Sequence, residues 1–308
     1  MIKNKLGKTQ YYVSKIALGT VQFGLDYGFS KKKSQYEVDS ILDCASRNGI
    51  NFIDTAREYG DSERKIGDYI SRHSDEFIIA TKLKKFTESE TNSALLKDKI
   101  LSSLDESLKD LKLQNLDVLQ LHQTDDYLIN KEVLWNTIND LKNDGTLGAF
   151  GISVYGTKET LELVEKYGDA IDFFQVPYNI FDRRIEELKY FLEKHSISLV
   201  SRSTFLKGII PCEISELPSE LEELKPHKTR LQKEAQKLSM STSELAMLYV
   251  YCSKHIGSIL LGVNSSSELE SNIDVIKKYD CAALENIDFS KVLVENTLLI
   301  DPRKWTNF

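Results

Sequence analysis

Four side chains suited to moving a proton stand at the ends of short apolar runs or in the loops that follow them. Asp54 closes one run and Tyr59 follows it, Lys82 follows the next run, and His122 follows a third. Polar groups at the ends of successive strands are typical of a β/α barrel, which gathers its active site at that end. The set therefore predicts a catalytic pocket that holds a carboxylate, a phenol, an ammonium and an imidazole.

The elements that must position these side chains follow a regular alternation. Short apolar or β-branched runs alternate with stretches of helical period, as expected of βα units around a parallel sheet. Helices are predicted, for example, over residues 34–47, 95–111 and 134–141. The eight predicted strands are residues 16–19, 51–54, 77–81, 117–121, 149–153, 173–176, 198–201 and 258–261. The predicted fold class is therefore α/β, a (β/α)8 TIM barrel.

The N-terminal region and the rival fold need separate consideration. Residues 5–13 read as a small β-hairpin that turns at Gly7 and is predicted to plug the bottom of the barrel. The main rival is a doubly wound sheet, but residues 19–24 lack the Gly-x-Gly-x-x-Gly spacing that grips a pyrophosphate. No linker divides the chain, so residues 1–308 are expected to form a single domain with a C-terminal tail over about 281–308.

Composition narrows the class of protein and of partner. The chain has 308 residues, of which 41% are hydrophobic, enough for a large core. Its formal net charge is -7 and its pI is near 5.4, which argues against nucleic acid as a partner. No apolar leader and no apolar run of about 20 residues is present, so we expect a cytoplasmic protein without a membrane partner. A monomer or a weak oligomer is expected.

The cysteines give no sign of a disulfide framework or a metal site. Cys44, Cys212, Cys252 and Cys281 are scattered, with no Cys-x-x-Cys pair and no metal-ligand spacing relative to the histidines. This pattern favours reduced thiols that fill the core of a protein in a reducing compartment. No metal site is therefore predicted.

Several separated motifs occur in a recognisable order along nearly the whole chain. They lie at residues 18–20 (Leu-Gly-Thr), 54–60 (Asp-Thr-Ala-Arg-Glu-Tyr-Gly), 81–82 (Thr-Lys), 121–122 (Leu-His), 151–153 (Gly-Ile-Ser), 175–179 (Gln-Val-Pro-Tyr-Asn) and 262–272. In this order the motifs resemble those of the aldo-keto reductase family. The resemblance implies a (β/α)8 barrel that binds a nicotinamide cofactor without a Rossmann domain and reduces carbonyl groups.

The resemblance also assigns roles to the four side chains, and each role has a chemical reason. Hydride addition to a carbonyl leaves an alkoxide that must take a proton, and a phenol of pKa about 10 is a sluggish donor near neutrality. Tyr59 is the expected donor, with Lys82 lowering its pKa and Asp54 holding Lys82 charged and in place. His122 is expected to orient the carbonyl oxygen.

The cofactor residues are assigned by the same resemblance. Ser153 and Gln175 match the positions that hold the nicotinamide carboxamide, although Val154 stands where many relatives have Asn. Arg202 stands where others often place an aromatic ring against the nicotinamide, and its guanidinium can stack. The loop 203–208 is expected to lie along the pyrophosphate. The remaining residues assigned to the cofactor are Gly19, Thr20, Ser203, Phe205, Lys207, Gly262, Asn264, Glu268 and Asn272.

The choice between the two nicotinamide cofactors depends on the segment 262–272. The family default is NADP(H), whose 2′-phosphate many relatives bind with Arg or Lys. This chain instead offers Asn264 and Glu268. A carboxylate repels a phosphate but accepts a hydrogen bond from a ribose hydroxyl, so NAD(H) is a possible cofactor. The alternative is that Glu268 only completes a capping box with Ser265.

The expected substrate is a small carbonyl compound, and the loops after the strands favour a polar, hydroxylated, sugar-like one. In the C-terminal tail, a surface role is favoured for the basic pair Arg303 and Lys304, with a phosphate or carboxylate of the substrate as the alternative partner. The candidate substrate residues on the loops are Phe23, Asp26, Tyr27, Arg57, Gln123, Thr124, Tyr155, Tyr178 and Asn179.

Two other functions stay open from the sequence. One is a nicotinamide-binding regulatory subunit with little turnover, which would keep the same residues. The other is a barrel hydrolase with Asp54 and Glu58 as a carboxylate pair, which leaves Lys82 without a role. Arg57 and Glu58 are otherwise interpreted as part of a solvated loop.

Overall fold

The computed structural model describes residues 1–26, 31–92 and 94–306, and its centre is a closed barrel of eight parallel strands. The barrel order is β10-β3-β4-β5-β6-β7-β8-β9, so each strand pairs with its neighbour in sequence and β10 closes on β3. All eight predicted strands are present, and the predicted fold class is confirmed. The strands are β1 (Lys3–Lys5), β2 (Tyr12–Ser14), β3 (Ile16–Gly19), β4 (Phe52–Asp54), β5 (Ile78–Lys82), β6 (Leu116–Leu121), β7 (Leu147–Ser153), β8 (Phe173–Pro177), β9 (Ser198–Arg202) and β10 (Ser258–Gly262).

Helices cover the outside of the barrel and bury their apolar stripes against the strands. The predicted helices 34–47, 95–111 and 134–141 correspond to α2, α5 and α7, whose ends differ by one or two residues from the prediction. Among the described residues the helices are α1 (Val21–Gly24), α2 (Gln35–Arg47), α3 (Ser62–Ile70), α4 (Glu88–Thr91), α5 (Leu96–Leu111), α6 (Asp126–Ile129), α7 (Glu132–Asn143), α8 (Thr157–Tyr167), α9 (Lys189–Lys194), α10 (Lys225–Lys237), α11 (Thr242–Cys252) and α12 (Ser266–Lys278).

The N-terminal hairpin closes the bottom of the barrel, as predicted. Strands β1 and β2 pair antiparallel, and the Leu6 side chain between them is 1% exposed. The backbone N–H of Gly7 donates to Ser198 Oγ at 2.7 Å, which ties the turn to the start of β9. Gly7 has a φ of +56°, and a Cβ there would meet the Asp172 carbonyl oxygen at 2.0 Å, so this turn requires glycine.

The inside of the barrel is built in two layers that follow the two-residue repeat of a strand. The lower layer is apolar and consists of Leu6, Val13, Ala17, Phe52, Ala80, Val118, Ala149, Phe173, Val200 and Leu260. Two residues further along the eight strands stand Gly19, Asp54, Lys82, Gln120, Gly151, Gln175, Arg202 and Gly262. The change from an apolar layer to a layer of polar and small residues places the chemistry at the carboxyl end of the barrel.

The C-terminal segment packs on a second apolar cluster outside the barrel and is tied to α11 by a disulfide. Cys252 at the end of α11 is bonded to Cys281, whereas Cys44 and Cys212 are free thiols. The expectation that all four cysteines are reduced is therefore wrong for one pair, because the tail returns to α11 from 29 residues further along the chain. The tail continues through short 3-10 segments at Cys281–Leu284, Phe289–Lys291 and Thr297–Leu299.

Across the described residues, no helix has both the length and the apolar character needed to cross a membrane.

Candidate active site

The carboxylate of Asp54 is the centre of a buried polar cluster at the carboxyl end of the barrel. Lys82 Nζ donates to Asp54 Oδ2 at 2.6 Å, and both side chains are almost fully buried. Gln120 Nε2 and Gln175 Nε2 donate to Asp54 Oδ1 at 2.6 and 2.7 Å. Gln175 Nε2 also donates to Gln120 Oε1 at 2.9 Å, so the two amides are fixed against each other. Strands β4, β5, β6 and β8 thus meet on one carboxylate.

The phenol of Tyr59 lies beside this cluster and faces the cavity. Lys82 Nζ is 3.4 Å from Tyr59 Oη and also donates to the Thr55 carbonyl oxygen at 2.9 Å. The His122 ring lies 6.0 Å from the Tyr59 ring, edge to face. Tyr59, His122 and Asp54 line the cavity, with Lys82 directly behind them. The structure therefore brings together all four side chains predicted to act on a proton.

Burial governs the protonation of these groups. It raises the pKa of Tyr59 above its ordinary value, and the Lys82 ammonium only partly opposes that rise. Lys82 therefore acts on the pKa of the phenol in the expected direction, but burial outweighs its effect. Burial disfavours the Lys82 ammonium, but Asp54 and Tyr59 outweigh it and raise the pKa of Lys82. Burial, with Lys82 and two other cations, lowers the pKa of His122 from 6.5 to about 3, so its imidazole is neutral.

A cavity of about 1010 Å³ opens from this cluster along the carboxyl end of the barrel. Pockets for small ligands commonly have volumes of about 300 to 1,000 Å³, so the cavity has room for a dinucleotide-sized ligand. Every residue that the sequence assigns to the cofactor lines it: Gly19, Thr20, Ser153, Gln175, Arg202, Ser203, Phe205, Lys207, Gly262, Asn264, Glu268 and Asn272.

Two observations show that this lining fits a polar ligand such as a nicotinamide dinucleotide. Thr204 Oγ1 and Asn272 Nδ2 are buried polar atoms in the cavity wall that have no hydrogen-bond partner among the described residues. Ser203, Leu206 and Lys207 have φ values of +63°, +48° and +52°. Such left-handed conformations cost about 1 to 3 kcal/mol each and are concentrated where backbone clamps a ligand.

The segment after β10 has the acidic character that its sequence indicates. Glu268 Oε2 accepts a hydrogen bond from the Asn264 backbone N–H at 2.7 Å, while Ser265 Oγ accepts from the Glu268 N–H at 3.1 Å. Ser265 therefore caps the helix with its side chain, as in a capping box. The Glu268 carboxylate, however, accepts from the N–H of Asn264, the residue before the N-cap. Residues 263–272 contain neither Lys nor Arg.

Several candidate substrate residues lie elsewhere. Gln123, Thr124 and Tyr155 line the cavity, as predicted. Phe23, Tyr178 and Asn179 are instead at most 1% exposed. Tyr178 Oη donates to Glu186, and Asn179 bonds the Ser203 carbonyl oxygen, so both act as structural supports. Asp26 pairs with Lys31 at the surface, and Tyr27 lies outside the described residues. The three buried assignments are therefore wrong, because the loops fold back into the protein.

Arg57 and Glu58 are neighbours in sequence but have different surroundings. The Arg57 guanidinium is partly buried and bonds Glu63, Glu106 and Asp110, so its assignment to a solvated loop is wrong. Glu58 is exposed, accepts a hydrogen bond from the Lys85 N–H at 3.1 Å and is absent from the cavity lining. These positions count against a hydrolase that pairs Glu58 with Asp54.

Three residues of the site, Gln120, Gln22 and Lys85, were not found by sequence reasoning, and a fourth, Arg303, was favoured for a surface role. Gln120 is 0% exposed and bonds Asp54, and its place two residues after the apolar Val118 is the signal that identifies it. Gln22 and Lys85 line the cavity, and Gln22 Oε1 is buried with no hydrogen-bond partner in the part of the chain that the structure describes. Arg303 also lines the cavity, against the surface role favoured for it, and no local pattern indicates where a tail returns.

Comparison with known proteins decides the family. The model of the Aldo/keto reductase family matches residues 15–288. The chain belongs to this family. Membership, together with the fold and the relatives below, makes it an NAD(P)-dependent oxidoreductase of the aldo-keto reductase type.

Relatives in the aldo/keto reductase family span almost the whole chain. An uncharacterized oxidoreductase, YqkF of Bacillus subtilis, is 29% identical over 89% of this chain and 90% of its own length. L-galactose dehydrogenase of Arabidopsis thaliana is 24% identical over 93% and 92%. A probable voltage-gated potassium channel subunit beta of the same plant is 25% identical over 92% and 94%. An aldo-keto reductase of Bacillus halodurans in its holo form superimposes with a TM-score of 0.78 at 22% identity, over 96% of this chain and 99% of its own.

Proposed function

We propose that this aldo-keto reductase reduces an aldehyde or ketone, and in reverse oxidises the corresponding alcohol, with Tyr59 as the proton donor. The observation that carries the proposal is the placement of Tyr59 Oη 3.4 Å from a buried Lys82 ammonium at the wall of the cavity. Burial raises the pKa of Tyr59 and keeps the phenol protonated at neutral pH, while the Lys82 ammonium opposes this rise and favours the phenolate that proton donation leaves.

Each residue has a step in the proposed reaction. A bound reduced nicotinamide supplies the hydride to the carbonyl carbon. Tyr59 transfers its proton to the carbonyl oxygen, and the Lys82 ammonium stabilises the phenolate that results. Asp54 keeps Lys82 charged. His122 is neutral and serves as a hydrogen-bonding group toward the carbonyl oxygen rather than as a cation.

The cofactor would lie along the lining residues from Ser153 and Gln175 to Asn272. Gln175 turns its amide nitrogen toward Asp54 and Gln120, so we propose that its Oε1 accepts from the carboxamide. We further propose that NADH is used at least as well as NADPH, because the segment 263–272 has no cation to bind a 2′-phosphate. The ratio of kcat/KM for the two cofactors measures this, and a strong NADPH preference would remove it.

The substrate would be a small hydroxylated carbonyl compound with a sugar-like character. The cavity lining supports this because Gln123 and Thr124 supply polar groups near His122. L-galactose dehydrogenase, one of the relatives, acts on a sugar by its name.

Replacing Tyr59 by Phe tests the proposed chemistry. The variant should lose nearly all carbonyl reduction while its affinity for the cofactor stays within a few-fold, because only the proton donor is removed. Absorbance of the reduced nicotinamide follows turnover on a panel of aldehydes, ketones and sugars, and fluorescence titration follows binding. Equal loss of binding and turnover would contradict the assignment.

A second candidate function is a nicotinamide-binding regulatory subunit. It is favoured by the similarity to a probable potassium channel subunit beta and is compatible with the same residues. The substrate panel distinguishes the two functions, because a regulatory subunit would bind the cofactor with little turnover on any carbonyl.

The proposal includes a single domain over residues 1–308 that works as a monomer or weak oligomer. Large apolar side chains that are exposed, such as Tyr36, Val133 and Tyr190, lie on separate helices, which supports weak association. The Cys252–Cys281 disulfide counts against a reducing compartment, where such bonds are rare.

A further inference from the structure

Three cations line the catalytic end of the cavity, in a chain whose net charge is -7. Lys85, Arg202 and Arg303 all line this cavity. Lys85 and Arg202 are close enough to lower the pKa of His122, and Arg202 also acts on Tyr59. These two cations therefore lie on the side of the cavity where a carbonyl oxygen would lie.

Carboxylates nearby offset much of this charge, and one of them, Glu159, acts on Arg303 and accepts from the Tyr155 N–H at 3.0 Å. Asp54 is matched by Lys82 in the buried pair. Asp125 lines the cavity and accepts a hydrogen bond from Gln123 Nε2 at 2.8 Å. Asp301 pairs with Arg303 through Nε and Nη2, at 2.9 and 2.7 Å. No hydrogen bond among the described residues uses Arg303 Nη1.

The two arginines are brought together on one aromatic ring. The guanidinium carbon of Arg202 lies 3.9 Å from the centre of the Tyr155 ring, and that of Arg303 lies 3.2 Å from it. Arg202 is also fixed by a hydrogen bond from Nη2 to the Val154 carbonyl oxygen at 3.1 Å. Stacking orients a planar guanidinium, but two like charges on one ring repel each other. An anion bound beside the ring, within reach of both guanidiniums, would offset that repulsion.

The tail presents Arg303 from a firmly packed position. Trp305 is 9% exposed in the outer apolar cluster, and its Nε1 donates to the Leu298 carbonyl oxygen at 3.1 Å. Thr306 bonds Glu220 through its backbone N–H and its hydroxyl, at 3.1 and 2.9 Å. Lys304, between Arg303 and Trp305, is exposed and does not line the cavity.

We propose that this end of the cavity recognises carbonyl compounds that carry a carboxylate or a phosphate, with Arg303 as the anchoring residue and Arg202 and Lys85 beside it. This rests on the proposed carbonyl reduction and names its substrate class. A guanidinium suits both anions, because its fork of N–H groups matches the oxygens of either one.

Pairs of substrates that differ only in charge test the proposal. Glyceraldehyde 3-phosphate is compared with glyceraldehyde, and succinic semialdehyde with butanal, so that the two pairs distinguish phosphate from carboxylate. In the wild-type protein, kcat/KM should be at least about tenfold higher for the charged member of one pair, the effect of a charge-assisted hydrogen bond. The Arg303→Gln variant should lose most of that ratio. Lys304→Gln removes the same charge one residue away and should keep it.

Equal kcat/KM values for charged and uncharged members in both pairs would overturn the proposal, as would a ratio that survives in Arg303→Gln. Turnover of the uncharged aldehydes reports on the proposed function independently. If no carbonyl compound is reduced, calorimetry of the NADH complex still tests whether this end of the cavity binds an anion. Glycerol 3-phosphate or succinate should bind at least about tenfold more tightly than glycerol to the wild-type protein and not to Arg303→Gln. Binding no tighter than that of glycerol would overturn the proposal.

Discussion

At the scale of single residues, the positions of a few donors determine what Asp54 can do. Its two oxygens accept from Lys82, Gln120 and Gln175, so the carboxylate has no role left as a base. Sequence reasoning found Asp54 and Lys82 because a buried cation needs a carboxylate. It missed Gln120, because an amide inside an apolar strand resembles a substitution in the core until the neighbouring strands are known.

Gln120 is expected to act as a positioning residue for the Asp54–Lys82 pair. The Gln120→Met variant keeps the volume but removes one donor to Asp54, which should cost about 1 to 3 kcal/mol of stability. It should also lower kcat/KM about tenfold, which corresponds to about 1.4 kcal/mol of transition-state stabilisation. Urea unfolding and carbonyl reduction measure the two effects.

A matched control comes from α7. Thr137 is buried and donates to the Val133 carbonyl oxygen at 2.7 Å, far from the cavity lining. Thr137→Val should lower stability and leave kcat/KM unchanged. If Gln120→Met behaves in the same way, its role is purely structural.

His122 should not titrate in the physiological range. Burial lowers its pKa from 6.5 to about 3, so the imidazole is already neutral well below neutral pH and stays neutral as the pH rises. The kcat/KM for reduction of an uncharged aldehyde should therefore show no inflection near pH 6.5 between about pH 5 and 8. An uncharged substrate is required because an anionic one adds its own titration. An inflection at 6.5 that disappears in His122→Gln would show that the imidazole is exposed to solvent.

At the scale of elements, the alternation of strand and helix made the barrel predictable. Strand runs such as 117–121 are mostly buried on both faces, since one face meets helices and the other the barrel interior, and this gives short, largely apolar signals. The loops were harder to predict. Tyr178 and Asn179 follow β8 and appeared to be substrate residues, but they fold inward to support Glu186 and the loop at Ser203. Burial of a loop depends on tertiary contacts that its own sequence does not contain.

The hairpin plug should be an energetically important element. Leu6 lies in the lower apolar layer at 1% exposure, so Leu6→Ala leaves a cavity at the bottom of the barrel and should cost about 2 to 5 kcal/mol. Ile2, in the residues just before β1, is 57% exposed, and Ile2→Ala should change stability by less than about 0.5 kcal/mol. Chemical denaturation measures both, and equal effects would mean that the hairpin does not pack into the barrel.

At the scale of the whole molecule, the C-terminal tail closes the structure in a way that the sequence does not reveal. Arg303 reaches the cavity and Cys281 reaches Cys252, and both contacts join segments whose proximity only the folded chain establishes. The spacing of the four cysteines gives no indication of the bond, because a single disulfide that fastens a tail has no motif.

The disulfide can be tested by counting free thiols. Unfolded without a reductant, the protein should show two thiols that react with Ellman's reagent, Cys44 and Cys212, and four after reduction. Reduction should also lower the unfolding temperature. A bridge across 29 residues restricts the unfolded chain, and this entropic effect contributes about 3 to 4 kcal/mol to stability. Four reactive thiols before reduction would contradict the bond. A Cys252→Ser, Cys281→Ser double variant, insensitive to reductant, is the control.

The meeting of β4, β5, β6 and β8 on the Asp54 carboxylate has a mechanical consequence. If these strands moved apart, the hydrogen bonds to Asp54 would lengthen. The position of the Lys82 ammonium relative to Tyr59 would then change. The pKa of Tyr59 would therefore depend on how closely these four strands pack against one another. Substitutions elsewhere in the barrel wall that shift these strands would change the pKa of Tyr59 without contacting its side chain.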